Sequence, residues 1–186
     1  MITIAVDRAK DARPWIEKAA PTHPTLIDEA HHLGELYNMV NVPTVVWIDE
    51  EGRIARPNDV AFTTEWGGKY ARVSTDEQMA LLRSWVRGEM PTKPKDVLRS
   101  QIAPMSAESQ EARAHFGLGW WLLGSGHTDS AERHFHLGGE LAPDDFMIRR
   151  GTMRFRESDP FGSEFVQMVA DWRELGHSYY LPLPVE

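Results

Sequence analysis

Apolar positions in this chain recur with two different periods, and the change between them falls near the middle. In the first part, Ile2-Thr3-Ile4-Ala5-Val6 predicts a strand that ends at Asp7, and Val45 to Ile48 form a continuous run of β-branched and aromatic residues. Such a run is the pattern of a strand covered on both faces, and Asp49 to Gly52 supply turn chemistry before a second strand at Ile54. Asp11 is placed as the N-cap of a helix through about Ala20, with Pro14 near its first turn and Trp15, Ile16 and Ala19 on one face. Leu26-Ile27-Asp28 is short and extended; Leu33, Leu36, Tyr37 and Val40 then recur at helical spacing from His31 to Val40. Residues 57 to 74 read as a long loop holding Pro57, Gly67, Gly68 and the aromatics Phe62, Trp66 and Tyr70. Helical period returns from Thr75 to about Arg87, with Met79, Leu82, Trp85 and Val86 on one face and Gly88 as its stop.

Beyond a linker at Pro91 to Pro94 the pattern is helical throughout. A short helix is expected at Lys95 to Ile102. A longer one spans Ser106 to Gly126 with Ala112, Phe116, Gly119, Trp120 and Leu123 on its stripe, and a turn leads into another carrying Ala131, Phe135, Gly138 and Leu141. The small residues Gly119, Ala131 and Gly138 let the two helices of this hairpin approach closely, and Pro143 ends the unit. Further helices are expected over Asp145 to Arg154 and near Ser163 to Leu175, the latter with Phe165, Met168, Val169 and Trp172 inward. The extended tail around Tyr179 and Tyr180 is expected to lie over the rest of the molecule.

Composition narrows the function classes. The 186 residues have a formal net charge of -8, which repels a phosphate backbone, and no basic stripe offsets it. No apolar run approaches the roughly 20 residues of a spanning helix, and the N-terminus lacks the basic flank and apolar core of a signal peptide. The expectation is a cytoplasmic chain with no nucleic-acid partner and no membrane span. The sequence contains no cysteine, so this chain itself can supply no thiolate nucleophile, disulfide or zinc-thiolate site.

Two stretches resemble known families. Val42-Pro43-Thr44, an apolar strand, and Asp49-x-x-Gly52-x-Ile54 are similar to the second half of a thioredoxin-like domain of the redoxin group, which includes the AhpC/TSA and TlpA/ResA-type thiol-disulfide oxidoreductases. The order of elements over about residues 2 to 56 matches as well. The resemblance implies a partial thioredoxin-like, three-layer α/β fold over residues 1 to 90, a cis bond before Pro43, and a backbone at Val42 that pairs with a bound substrate segment. It also implies that the strand ending in Trp-Cys-x-x-Cys, which lies mid-sheet in the family, is missing. The strands at Ile2 to Val6 and Thr44 to Ile48 must then pair directly, leave their inner edges open, or recruit a strand from elsewhere. Leu118-Gly119, Ala131-x-x-x-Phe135 and Pro143 resemble one tetratricopeptide (TPR) repeat, which implies an all-α TPR-like region over residues 95 to 186. One repeat cannot bury both of its faces.

The expected function is therefore the C-terminal part of a thioredoxin-like oxidoreductase, with its cysteine-bearing segment outside this sequence. The alternative is a complete, non-catalytic thioredoxin-like and TPR-like scaffold for protein-protein binding. The candidate site residues are Val42 and Pro43 as a substrate-binding platform; no catalytic, metal or cofactor residue is assigned, and no cofactor is expected. The expected partner is a protein, with a homodimer through an exposed sheet edge as one form. His31-His32 and His134-x-His136 point apart on a helix and are read as surface histidines. The carboxylates at Asp49 to Glu51 and at Asp144-Asp145 are read as turn and helix-start residues. Trp120 and Trp121 are adjacent on a helix, so one is core and the other a candidate for partner contact.

Overall fold

The chain was described through a computed structural model, which defines residues 1–60, 74–91, 93–102, 104–156, 158–177 and 179. The predicted loop aromatics Phe62, Trp66 and Tyr70, and the tail beyond Tyr179, lie outside the described residues.

The first part alternates strand and helix: β1 (Thr3–Ala5), α1 (Ala9–Ala19), β2 (Thr25–Ile27), α2 (His32–Leu36), β3 (Thr44–Ile48), β4 (Ile54–Val60) and α3 (Thr75–Val86). The order is that of a mixed α/β fold, yet no single sheet forms among the described residues. Strand β1 pairs in parallel with β2, while β3 pairs antiparallel with β4 in a separate two-stranded sheet. Of the three outcomes open for the strands at Ile2 to Val6 and Thr44 to Ile48, direct pairing is not the one observed. Their apolar residues are correspondingly uncovered: Ile4 is 40% exposed, its cross-strand neighbour Leu26 52% and Ile48 44%. The expectation that β3 is covered on both faces is thus corrected, and only Trp47 of that strand is buried.

Local departures have identifiable causes. In α1, Asp11 lies in the first turn rather than capping, and Pro14 sits inside the helix. Ala12 faces inward and Trp15 outward, because the helix starts earlier than its cap residue suggested. The helix expected over His31 to Val40 stops at Leu36: Asp28 accepts from the amides of His32 and Leu33 at its start, and Asn38 turns left-handed after its end. Strand β4 runs through Pro57, where a loop was expected, because register shifts leave that proline without a ladder partner to serve. The turn between β3 and β4 forms as predicted, with the Asp49 carboxylate accepting from the amides of Glu51 and Arg53 and Gly52 at φ 76°.

The second part comprises α4 (Lys95–Ser100), α5 (Ala107–Gly124), α6 (Thr128–Leu141), α7 (Phe146–Arg149), a 3₁₀ turn (Met153–Arg156) and α8 (Ser163–Glu174). Ser106 caps α5 by accepting from the Ser109 amide. Helices α5 and α6 form the expected hairpin around Ala112, Phe116, Ala131 and Phe135. A Cβ on Gly119 would stand 2.6 Å from the Phe135 ring, and one on Gly138 would stand 3.0 Å from the Ala112 carbonyl, so these positions set the interhelix distance. The single helix expected over Asp145 to Arg154 is instead split after α7, the last turn closing as 3₁₀. Phe146, Val169 and Tyr179 make a second cluster, so the start of the tail does pack down. Among the described residues no helix is long and apolar enough to cross a membrane.

Candidate functional site at the Val42–Pro43 loop

The loop leading into β3 is held by the helical region through its backbone. The Val40 carbonyl accepts from the amides of Phe146 and Met147, and the Met39 carbonyl from the Arg113 guanidinium; on the other side of α2, the Glu29 carbonyl accepts from the Trp120 indole. Asn41, which is buried, donates its side-chain amide to the Tyr179 carbonyl at 3.0 Å. Its Oδ1 accepts from the Val42 amide at 2.9 Å, and its carbonyl accepts from the Thr44 hydroxyl at 2.6 Å. The Val42–Pro43 bond is cis, with Val42 half-buried and Pro43 exposed at the loop's surface. The two sequence-selected residues therefore sit together at the start of β3. The Val42 amide, however, is already bonded within the chain. A segment laid against this loop would have to displace the Asn41 side chain to use that donor.

Arg113 anchors the loop electrostatically. Its guanidinium lies 2.8 Å from the Asp145 carboxylate, and both side chains are almost fully buried. Asp145 also accepts from the Ile148 amide at 3.1 Å and so caps α7. Burial pushes the Asp145 carboxyl above its usual range, and Arg113 and the Ile148 amide pull it partly back.

A small cleft of about 60 Å³ opens beside the loop, lined in part by His31, Glu35, Arg113 and Met147. His31 is not the surface histidine expected from the sequence: its ring stands edge-on to Phe116 and Trp120, with centroids 4.9 and 4.7 Å away. Neither ring nitrogen has a hydrogen-bond partner among the described residues. Burial lowers its pKa below 6.5, opposed by the carboxylates of Asp28 and Asp7 and reinforced by Arg154 and Arg113. A neutral imidazole in a cleft of this size can exchange a proton with a water or two. Among the described residues no hydroxyl or thiol side chain lines the cleft.

Two further pairs escaped the sequence reading. His115 and His134, on facing helices, meet Nδ1 to Nδ1 at 2.8 Å, an arrangement that holds one shared proton because one ring donates and the other accepts. Arg56 and Asp59 form a buried ion pair at 2.6 Å, with the guanidinium over Trp47, which in turn stacks on Trp85. The first pair is long-range in sequence. The second fell in a stretch read partly as loop, although its Arg-x-x-Asp spacing was visible in the sequence. Among the described residues no three His, Asp or Glu side chains gather as a metal site. No family model matches the sequence, and no curated protein or solved structure matches it.

Proposed function

We propose that residues 1 to about 90 are the C-terminal part of a thioredoxin-like, redoxin-type domain that lacks redox cysteines of its own and receives its central strand from outside these 186 residues. The observation that carries this reading is the split sheet. Strands β1 and β3 remain in separate ladders, and Ile2, Ile4, Leu26 and Ile48 leave apolar surface open around them. A strand added between them would satisfy backbone edge groups and cover those side chains together. The Pro43 loop would then stand beside whatever thiols that strand brings, and the partner would be a substrate protein. Met1 to Glu186 alone would carry out no thiol exchange, because the reaction requires an attacking thiolate.

A non-catalytic binding scaffold is the second reading, favoured by the intramolecular bond that already occupies the Val42 amide. In that case the open edges of β1 and β3 are where an extended segment, or the same edge of a second copy, would add. The intact mass of the protein from its native source separates the two. A mass several kilodaltons above 21.2 kDa, with alkylatable cysteines, is the expected result; a mass equal to 21.2 kDa overturns the first reading in favour of the scaffold.

A further inference from the structure

Both ring nitrogens of His31 are out of reach of solvent and have no hydrogen-bond partner among the described residues. A neutral imidazole carries one donor and one acceptor, and buried polar groups are ordinarily paired, so this position is costly even before the ring takes a proton. The backbone of His31 is also left-handed, at φ 59°, a conformation that a residue other than glycine keeps only where its surroundings impose it. The imposing contacts are with α5. The ring stands edge-on to Phe116 and Trp120, and the Glu29 carbonyl in the same turn accepts from the Trp120 indole at 2.8 Å. Most charges around the ring are already committed. Asp28 accepts from the amides of His32 and Leu33, Asp7 pairs with Arg154 at 2.6 Å, and Arg113 pairs with Asp145 at 2.8 Å. The exception is Glu35, one helical turn beyond His31. It is exposed, it lines the same cleft as His31, and its carboxylate has no partner among the described residues.

We propose that His31 is a proton-operated latch: neutral, it fastens the turn before α2 to helix α5, and protonated, it leaves Phe116 and Trp120 for the cleft side, where Glu35 meets its charge. The two ring positions make a two-state element that one proton biases. The enclosed position gives an imidazolium no acceptor for either N–H, whereas the cleft side supplies water and a carboxylate. The proton therefore binds the released form more tightly, and release grows as pH falls. The Glu29 carbonyl gives up the Trp120 indole in the same movement. Acid thus detaches the start of α2 from the helical region, while the bonds that Met39 and Val40 make to Arg113, Phe146 and Met147 hold its far end.

NMR of the intact chain, titrated from roughly pH 7.5 to pH 5, tests this. At the upper end the His31 ring protons are expected to be displaced by the ring currents of Phe116 and Trp120 and to show cross-relaxation with both. Through the titration that cross-relaxation is expected to be lost and the Trp120 indole resonance to move, while the Phe116–Phe135 contact persists. In His31→Phe, which keeps an aromatic ring but takes no proton, the indole resonance is expected to stay in place over the same range. Glu35→Gln, a change at an exposed side chain, is expected to shift the midpoint to lower pH. A His31 ring that titrates without leaving Phe116 and Trp120, as an imidazolium held on their faces, overturns the proposal. So does a ring that stays neutral throughout, loss of the Phe116–Phe135 contact in the same step, an indole in His31→Phe that moves as in the wild type, or a midpoint that Glu35→Gln leaves unchanged.

Discussion

Replacing Arg113 by methionine removes the guanidinium but keeps much of its aliphatic packing, leaving the Asp145 carboxylate buried with no countercharge. Removing one member of a buried pair costs about 3–5 kcal/mol, because the surviving charge is desolvated and uncompensated. The Met39 carbonyl loses its donor in the same step. A domain of this size is stable by roughly 5–15 kcal/mol, so the variant forfeits a large share of its total. Urea unfolding followed by tryptophan fluorescence measures the difference. The double variant Arg113→Met/Asp145→Asn should recover at least half of the loss, since asparagine still caps the Ile148 amide and carries no charge. The deficit is also pH-dependent. Burial already holds the Asp145 carboxyl above its ordinary range, and without Arg113 it rises further. Where the carboxylate is ionised in both proteins, the full penalty separates them. As pH falls through the variant's raised pKa the group becomes neutral and the gap narrows. A loss under about 1 kcal/mol, or no recovery in the double variant, would show that the pair does not carry the energy assigned to it.

Two other outcomes are expected. The His31 pKa is lowered by burial, so the native state binds fewer protons than the unfolded chain. The stability His31 contributes is present above its unfolded value of 6.5 and is lost as pH falls below it, so His31→Leu should flatten the acid side of a stability-pH profile; an unchanged slope would rule the residue out. Gly119→Ala places a methyl 2.6 Å from the Phe135 ring and should cost about 1–3 kcal/mol through overpacking, lowering the thermal midpoint even though alanine is the better helix former.

The helical hairpin was legible in the sequence because its signals are local. Ser106 supplies a cap, Ala112, Phe116 and Leu123 repeat at helical spacing, and Gly126 closes the turn. The β3–β4 turn was legible for the same reason, through Asp49 and Gly52. What the sequence concealed was pairing at a distance. His115 and His134 belong to different periodic runs, and His31 has polar neighbours in sequence yet is folded beneath Phe116 and Trp120. The length of α2 was misjudged because a good apolar repeat from Leu33 to Val40 was overridden by backbone hydrogen bonds from Val40 to the distant α7. The candidate platform at Val42 and Pro43 was found by motif, but the Asn41 side chain that covers its amide carries no sequence signature.

The bond from Asn41 to Tyr179 spans 138 residues and has a bearing on the order in which this chain matures. As the polypeptide emerges from the ribosome, β3 and its preceding loop are made early, while the groups that receive Met39, Val40 and Asn41 belong to segments synthesised much later. Local turns and the β3–β4 hairpin can close at once, but the loop that bears Pro43 waits for α5, α7 and finally Tyr179 to arrive. The first part of the molecule thus spends most of translation unfinished, and a ribosome stalled before the last helix would present an apolar, half-assembled intermediate to the quality-control machinery of its host.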